Sequence, residues 1–338
     1  MKSPFFIAEI SANHNGSIDK LKKLIKSAKK YGADAVKLQT YTADMMTLNT
    51  KNKKFLIKDG IWKNKYLWNL YDNCKTPLSW HKEIFDYALR EKIFCFSSPF
   101  SKEAVDFLEK FNPQFYKIAS FEITDLPLIK RVAETKKHVI ISTGMANLSE
   151  ISAAFNCAKK YGAKKITLLY CVSNYPAKIE DFNLNNISFL KKKFNCSVGL
   201  SDHCNDPKLA FAAILAGAEF IEKHIALPGD TSAPDYKFSI KEKEILEYRK
   251  SIDEAHKLLG KKIFFINKSS ITNRIYRRSI YAIKNIELGE KITEDKIKIL
   301  RPNYGIEPKF YYKIINLKSP IKIKANSPIP KNFFSKIK

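Results

Sequence analysis

Two histidines stand at matching positions at the ends of two neighbouring apolar runs. The first run is VGLSDH at residues 198–203, and the second is EFIEKH at residues 219–224. Each is typical of a buried strand that carries a histidine, His203 or His224, at its carboxyl end. Between them, residues 206–217 begin with a capping aspartate and a proline at the first helical position and continue as an apolar stretch, which predicts a helix.

A strand, a helix and a strand in this order place two parallel strands side by side, so both imidazoles are expected at the same rim of the sheet. Two neighbouring imidazoles with acids beside them suit a divalent transition metal, because imidazole favours Mn, Zn, Co or Fe over Ca or Mg. The alternative is a pair of ordinary histidines at strand ends, which is the better interpretation of a single histidine. Two at matched strand ends favour a metal site with His203 and His224 as ligands.

The rest of the first 260 residues alternates between apolar runs of strand length and amphipathic segments. Further strands are predicted at residues 5–10, 35–39, 93–97, 115–119, 138–142 and 166–171, and further helices at residues 18–31, 102–111, 126–135, 148–161, 184–194 and 241–259. Because the strands are almost continuously apolar, both faces of the sheet should be covered. This pattern predicts an α/β fold, a (β/α)₈ TIM barrel over residues 1–260, with a long insert at residues 41–76 that covers its mouth.

An open doubly wound sheet is the structural alternative, but polar residues follow nearly every strand instead of gathering at one switch point. Those polar residues are Glu9, Lys37, Gln39, Ser98, Lys117, Ser120, Glu122, Ser142, Tyr175, Ser201 and Glu222, besides the two histidines. Buried lysines need an anion, and lysines with hydroxyls form a pocket for phosphate or carboxylate. Each residue alone has an ordinary structural explanation. Together they favour a metal-assisted barrel enzyme that acts on a small phosphorylated or carboxylated substrate.

The composition is strongly basic, with 60 Lys and Arg against 34 Asp and Glu and a net charge of +26. The excess is nearly all lysine spread along predicted helices, without a basic tail, so we interpret it as solvated surface and expect no nucleic-acid partner. No apolar stretch reaches membrane-spanning length, and no membrane association is expected. Six scattered cysteines and the lack of a secretory signal predict reduced thiols and a cytoplasmic location.

The pattern of apolar and polar residues changes after residue 260. Residues 277–338 contain short strand-like runs and turns, and they are too few for another βα domain. We therefore predict a linker at residues 261–276 and a small β-rich module at residues 277–338.

These motifs together resemble the sialic acid synthase family of nonulosonic acid synthases, over almost the whole chain. They are AEISANHNGS at 8–17, VKLQT at 36–40, SSPF at 97–100, YKIAS at 116–120, STGM at 142–145, YP at 175–176, SDH at 201–203 and EKH at 222–224. The resemblance implies a transferase that condenses phosphoenolpyruvate (PEP) with an amino-sugar aldehyde. It also implies a TIM barrel followed by an antifreeze-like (SAF) module.

Within the family, the chain is most similar to the pseudaminate-forming branch. The stretches that carry this likeness are QTYT at 39–42, TLN at 47–49, GIW at 60–62, LY at 70–71, KTP at 75–77, WH at 80–81, CFSSPF at 95–100 and ASFE at 119–122. The implied reaction joins PEP, 2,4-diacetamido-2,4,6-trideoxy-L-altrose and water into pseudaminic acid and phosphate. One alternative is an N-acetylneuraminate- or legionaminate-forming enzyme. Another is a barrel aldolase or a seven- or eight-carbon ketoacid-phosphate synthase, which needs no antifreeze-like tail. The third is a non-catalytic basic binding protein.

The resemblance also implies roles for single residues. His203 and His224 would hold the divalent metal, Mn²⁺ ahead of Mg²⁺ or Co²⁺. PEP would be bound by Lys37, Ser98, Lys117, Ser120, Ser142 and Ser201, and the sugar by Gln39, Glu122, Tyr175, Asp235 and Arg301. Glu9, Glu122 and Glu222 would join the histidines as catalytic groups. Arg301 would reach the barrel of a partner subunit, which implies a homodimer with swapped carboxyl-terminal modules.

Overall fold

The computed structural model of the chain describes residues 3–60, 62–260 and 263–337. Ile61 of the GIW motif and residues 261 and 262 of the predicted linker lie outside the described residues. The chain divides into two units, Met1–Gly260 and Lys261–Lys338. No helix in the described ranges is long and apolar enough to cross a membrane.

The first unit is a closed barrel of parallel strands. They are β1 (Phe5–Glu9), β2 (Ala35–Thr40), β3 (Phe94–Pro99), β4 (Phe115–Ile118), β5 (His138–Ser142), β6 (Lys165–Cys171), β7 (Ser197–Asp202) and β8 (Phe220–Ala226). Each strand pairs with the next one along the chain, and β8 pairs with β1 to close the barrel. A two-residue strand, β9 (Ile240–Lys241), pairs with the end of β8. The predicted TIM barrel is therefore confirmed.

Amphipathic helices cover the outside of the barrel, as α1 (Ile18–Lys30) illustrates. The hydroxyl of Ser17 accepts a hydrogen bond from the backbone N–H of Lys20, while Leu21 and Leu24 belong to the buried face of the helix. The remaining helices of this unit are α2 (Ala43–Met46), α3 (Leu67–Cys74), α4 (His81–Arg90), α5 (Lys102–Glu109), α6 (Leu126–Glu134), α7 (Leu148–Lys160), α8 (Asn185–Phe194), α9 (Lys208–Leu215) and α10 (Glu242–Leu259). Among them, α4 is the helix between β2 and β3 that the sequence patterns did not locate.

An apolar layer fills the lower half of the barrel. It consists of Ile7, Ala35, Phe96, Ile140, Leu169 and Phe220. Gly199 of β7 makes room for it, because a Cβ atom there would lie 2.2 Å from the carbonyl oxygen of Phe220 and 2.8 Å from a methyl group of Leu169. The polar residues nearer the carboxyl ends of the strands therefore lie above a layer of apolar side chains.

The insert at residues 41–76 contains α2, α3 and a short hairpin closed by a bridge between Leu56 and Tyr66. It is tied to the barrel by the buried His81 at the start of α4. One imidazole nitrogen of His81 lies 2.8 Å from the hydroxyl of Thr40 at the end of β2, and the other lies 3.1 Å from the carbonyl oxygen of Pro77.

The second unit is the small β-rich module predicted for the end of the chain. Its antiparallel sheet has β10 (Ser279–Ala282) between β11 (Ile297–Leu300) and β12 (Ser327–Pro328). It also contains α11 (Lys268–Thr272) and α12 (Tyr311–Ile314). The sheet packs over its own core of Ile280, Ala282, Ile286, Ile292, Ile297, Ile306, Ile314, Ile323, Ile329 and Phe333.

Candidate active site

Four charged side chains form a buried network at the carboxyl ends of β1, β2, β4 and β8. The ammonium of Lys117 lies 2.9 and 3.1 Å from the two carboxylate oxygens of Glu222. Lys37 forms an ion pair with Glu9 and lies 3.7 Å from Glu222. The strand register explains this, because Glu9 sits opposite Lys37 in the β1–β2 pairing. Two positive and two negative charges balance, which is what makes such burial tolerable.

The two carboxylates of this network differ in their affinity for protons. Burial raises the pKa of Glu9 to about 7, despite the opposing charge of Lys37. Burial acts in the same direction on Glu222, but the charges of Lys117 and Lys37 prevail and lower the pKa of Glu222 to about 2. Glu222 is therefore the more strongly anionic of the two carboxylates, and Glu9 takes up a proton more readily.

Hydroxyl and amide groups surround the network. The hydroxyl of Ser98 lies 3.3 Å from the Lys37 ammonium, and the hydroxyl of Ser201 lies 3.4 Å from Glu222. The side-chain amide of Gln39 donates to Glu9 over 3.3 Å. The hydroxyl of Ser142 is buried without a hydrogen-bond partner among the described residues, a costly arrangement unless a ligand or water pairs with it.

Two serine hydroxyls, from the loops after β4 and β6, converge on Gly144 in the loop after β5. The backbone N–H of Gly144 donates to the hydroxyl of Ser120 over 3.3 Å. A Cβ atom at Gly144 would lie 2.1 Å from the Ser173 hydroxyl and 2.9 Å from the Ser120 hydroxyl. The backbone can approach both hydroxyls only because residue 144 is glycine. A small concave group of N–H and O–H donors of this kind suits an anionic ligand atom.

The two predicted metal ligands lie side by side, with ring centroids 5.4 Å apart. Nδ1 of His203 lies 3.1 Å from the carbonyl oxygen of Val172. Nδ1 of His224 lies 3.4 Å from a carboxylate oxygen of Asp235, and Asp235 is itself buried. The Val172 carbonyl holds the proton of the His203 ring on Nδ1 and leaves its Nε2 available to an ion. Nδ1 of His224 faces the Asp235 carboxylate but forms no hydrogen bond with any described residue.

This pair fits a divalent metal as a two-histidine donor set. Burial lowers the pKa of His224 to about 4, so its imidazole is neutral at pH 7, the form that coordinates a metal. In the described part of the chain, no group of three or more His, Cys, Asp or Glu side chains is arranged around one point. The donor set therefore fits an ion that completes its coordination with water and substrate.

Asn13, which the sequence reasoning left without a role, holds the loop of Asp235 in place. The side-chain amide of Asn13 donates to the carbonyl oxygen of Ile225 and to the hydroxyl of Ser239, both over 2.8 Å. Its carbonyl oxygen accepts from the backbone N–H of Asp235 over 3.0 Å. Asn13 lies in the loop after β1, but its partners are more than 200 residues away, so no local signal could have identified them.

The residue before His203 is fixed in a similar way. The hydroxyl of Tyr248, on α10, donates to the carboxylate of Asp202 over 2.6 Å. The ammonium of Lys223, which neighbours His224, lies 3.4 Å from the same carboxylate. Asp202 thus joins both histidine strands to the outer helix.

A cleft of about 420 Å³ opens above these groups. It is lined by Gln39, Ser120, Glu122, Tyr175, His224 and Asp235, together with apolar side chains of the insert. One carboxylate oxygen of Glu122 is buried without a hydrogen-bond partner among the described residues, and burial raises its pKa to about 7. The ring centroids of Tyr175 and His203 are 4.4 Å apart. The cleft therefore leads from the insert to the histidine pair.

The barrel residues predicted for the site all lie at the strand ends or in the cleft: Glu9, Lys37, Gln39, Ser98, Lys117, Ser120, Glu122, Ser142, Tyr175, Ser201, His203, Glu222, His224 and Asp235. Arg301 belongs to the second unit, where it follows β11 and is exposed.

Comparison with known proteins agrees with this geometry. Residues 24–264 match the NeuB family, and residues 277–335 match the SAF domain. The chain is 42% identical to a pseudaminic acid synthase of Campylobacter jejuni, over 98% of this chain and 97% of that protein. It is 41% identical to the pseudaminic acid synthase of Helicobacter pylori, over 97% of each chain.

Among solved structures, the chain is similar to an N-acetylneuraminic acid synthetase from Leptospira borgpetersenii. The TM-score is 0.73 at 28% sequence identity, with 80% of this chain and 90% of that chain covered. The barrel, the small module and the extent of these matches lead to one conclusion. The chain belongs to the NeuB family and carries a SAF domain after its barrel.

Proposed function

We propose that the protein is a pseudaminic acid synthase, a transferase that condenses PEP with 2,4-diacetamido-2,4,6-trideoxy-L-altrose and water. The observation that carries the proposal is the pair of imidazoles, His203 and His224, close to a set of buried lysines and serines. We call this set, Lys37, Ser98, Lys117, Ser120, Ser142 and Ser201, the lysine and serine floor. The near full-length similarity to proteins named pseudaminic acid synthase supports this choice of sugar. Nonulosonate synthases for N-acetylneuraminate or legionaminate are the alternatives that the experiment below separates.

PEP would occupy the floor of the site. Its phosphate and carboxylate groups need cations and hydrogen-bond donors, which are supplied by Lys37, Ser98, Lys117, Ser120, Ser142 and Ser201. The unpaired hydroxyl of Ser142 and the convergent donors around Gly144 support a bound anion at this place. Glu222 keeps Lys117 charged and oriented before the substrate enters.

His203 and His224 would hold a divalent metal, with Mn²⁺ as the first choice and Mg²⁺ or Co²⁺ as alternatives. Such an ion supplies Lewis-acid polarisation of the sugar aldehyde. Carbon 3 of PEP attacks the aldehyde carbon, water adds at carbon 2, and the C–O bond to phosphate breaks. Glu9 and Glu122, both with a pKa of about 7, are the groups able to hold or release a proton near neutral pH.

The sugar would contact Gln39, Glu122, Tyr175 and Asp235 in the cleft, and Arg301 of a partner subunit. The proposed assembly is a homodimer with swapped SAF domains. It is supported by exposed apolar side chains near the start of the second unit, of which Phe264 is 98% exposed. The six free cysteines support a cytoplasmic location.

The test is phosphate release from PEP in the presence of Mn²⁺. The deoxy diacetamido altrose should support release, whereas N-acetylmannosamine and the legionaminate precursor should not. His203→Ala should abolish release. Turnover of only one of the other two sugars would replace the proposed substrate, and release by none of the three would overturn the proposed function.

A further inference from the structure

The cleft has two chemically different sides. The barrel side carries the polar groups Ser120, Glu122 and Asp235 with His224. The insert side carries Tyr41, Trp62, Tyr71 and Cys74 together with the aliphatic residues Met46, Ile57, Leu67 and Leu70. We refer to the four aliphatic residues as the insert wall. A ligand that fills the cleft therefore meets charged and hydroxyl groups on the barrel side and mainly aromatic and aliphatic side chains on the insert side.

An exposed aromatic ring extends the apolar side. Phe121, between Ser120 and the buried carboxyl of Glu122, lines the same cleft while 64% of it remains exposed. Because so little of this ring is buried in the protein, its contribution to the stability of the fold is small. A ring that lines a cleft in this way is available to cover the apolar face of a sugar.

The position of the insert relative to the histidine pair is also fixed. Its hairpin is fixed by hydrogen bonds between the backbones of Ile57 and Lys65 over 3.0 Å, and of Asn64 and Ile57 over 2.9 Å. The hairpin carries Trp62, whose ring centroid lies 5.9 Å from that of Tyr175. The ring of Tyr175 in turn contacts His203. The insert wall thus has a defined position relative to the reacting end of the site.

The direction of the sugar follows from the proposed chemistry. Its aldehyde must face the histidines and the lysine and serine floor, so its last carbon points toward the mouth, which the insert covers. A hydroxyl group that packs against the insert wall would lose water, and the aliphatic side chains of Met46, Ile57, Leu67 and Leu70 offer it no hydrogen-bond partner. A methyl group at the same place would bury apolar surface instead.

We infer that the insert wall and Phe121 determine substrate specificity by selecting an amino sugar whose terminal carbon is a methyl group over its hydroxylated counterpart. This inference rests on the proposed function and adds the structural basis of its substrate choice. An apolar pocket discriminates against an added hydroxyl group by about 100-fold, so a preference of that order is expected.

The experiment compares kcat/KM for 2,4-diacetamido-2,4,6-trideoxy-L-altrose and for the same sugar with a 6-hydroxyl group, at saturating PEP. Wild type should prefer the deoxy sugar by about 100-fold. Leu67→Asn and Phe121→Ala should each reduce this ratio about tenfold, because one methylene-sized contact accounts for a factor of that order. Leu48→Asn is the matched control in the same insert, since Leu48 is 70% exposed and outside the cleft lining, and it should keep the wild-type ratio.

The outcomes separate this inference from the proposed function. If both sugars are turned over and the variants lower kcat/KM for both equally, the inference is wrong while the proposed function stands. If wild type turns over neither sugar, the proposed function is wrong, and calorimetric binding of the two corresponding sugar alcohols decides the inference. If wild type binds the deoxy sugar alcohol more tightly than the hydroxylated one and Phe121→Ala loses this difference, the inference is supported. Equal binding of the two sugar alcohols by wild type overturns it. Thermal unfolding confirms that Leu67→Asn remains folded.

Discussion

Each lysine proposed to bind PEP is paired with a glutamate. Lys117 shares both oxygens of Glu222, and Lys37 bridges Glu9 and Glu222. In the proposed reaction, the phosphate and carboxylate groups of PEP would join a charge network and would not meet unpaired lysines. Removing one member leaves a buried charge without compensation, and this is costly whichever ligand the site binds.

Lys117→Met should destabilise the protein by about 3–5 kcal/mol, because Glu222 then lies buried without its main partner. Adding Glu222→Gln should restore most of that stability, since the uncompensated charge is removed. Urea unfolding at pH 7 measures both effects. Lys82→Met, which breaks an exposed pair with Asp86, is the control and should cost less than about 1 kcal/mol. A double variant no more stable than Lys117→Met would contradict this account.

At the scale of elements, the insert depends on a few anchors to the barrel. His81 joins the end of β2, the segment before α4 and α4 itself through Thr40 and the Pro77 carbonyl. Burial lowers the pKa of His81 to about 4. The imidazole is therefore neutral in the folded protein at every pH where the protein is expected to work, and its protonation must weaken the anchor.

The pH dependence of stability should reveal this anchor. Between pH 6.5 and 4 the unfolded chain binds a proton at His81 and the folded chain does not, so stability falls as pH falls through this window. The loss amounts to about 2 kcal/mol at pH 5, at 1.36 kcal/mol for each pH unit below 6.5. His81→Gln cannot titrate, so its stability difference between pH 7.5 and pH 5 in urea unfolding should be smaller by this amount.

His138 provides an independent second case, because burial also lowers its pKa to about 4 and its ring lies 2.8 Å from the hydroxyl of Thr167. His138→Gln should flatten the pH dependence by a similar amount. If neither variant changes the difference between the two pH values, the acid sensitivity has another origin.

At the scale of the whole molecule, the segment that joins the two units presents apolar side chains to solvent. Ile263 and Phe265 are each 63% exposed and Phe264 is 98% exposed. Contiguous exposed apolar residues are rare on the surface of monomeric proteins, and where they occur they usually mark an interaction surface. A second copy of the chain is the partner that the proposed swapped dimer supplies.

Phe264→Asp combined with Phe265→Asp should shift the protein from dimer to monomer in sedimentation velocity, because two buried charges would be left without partners at the interface. Phosphate release should fall with it, since the proposed role of Arg301 needs the partner subunit. Leu288→Asp, at a site 70% exposed in the second unit, is the control and should leave the dimer intact. A monomeric wild-type protein would contradict the proposed assembly.

The sequence by itself determined the barrel, the β-rich module and the set of polar strand ends. These depend on local information: the period of apolar residues identifies strands and helices, and alternating strands and helices impose parallel neighbours. His203 and His224 could be paired in advance because only one helix separates their strands. The place of α4 was missed, since the long insert before it interrupts the alternation.

Only the tertiary structure decided which of these groups touch. The pairing of Lys37 with Glu9 depends on the register of β1 and β2, and the hold of Asn13 on Asp235 joins loops more than 200 residues apart. The apolar side of the cleft comes from an insert with no barrel periodicity to place it. Contacts between distant segments depend on how the closed barrel brings the strand ends and the insert together. No local pattern of residues encodes which of these segments will touch.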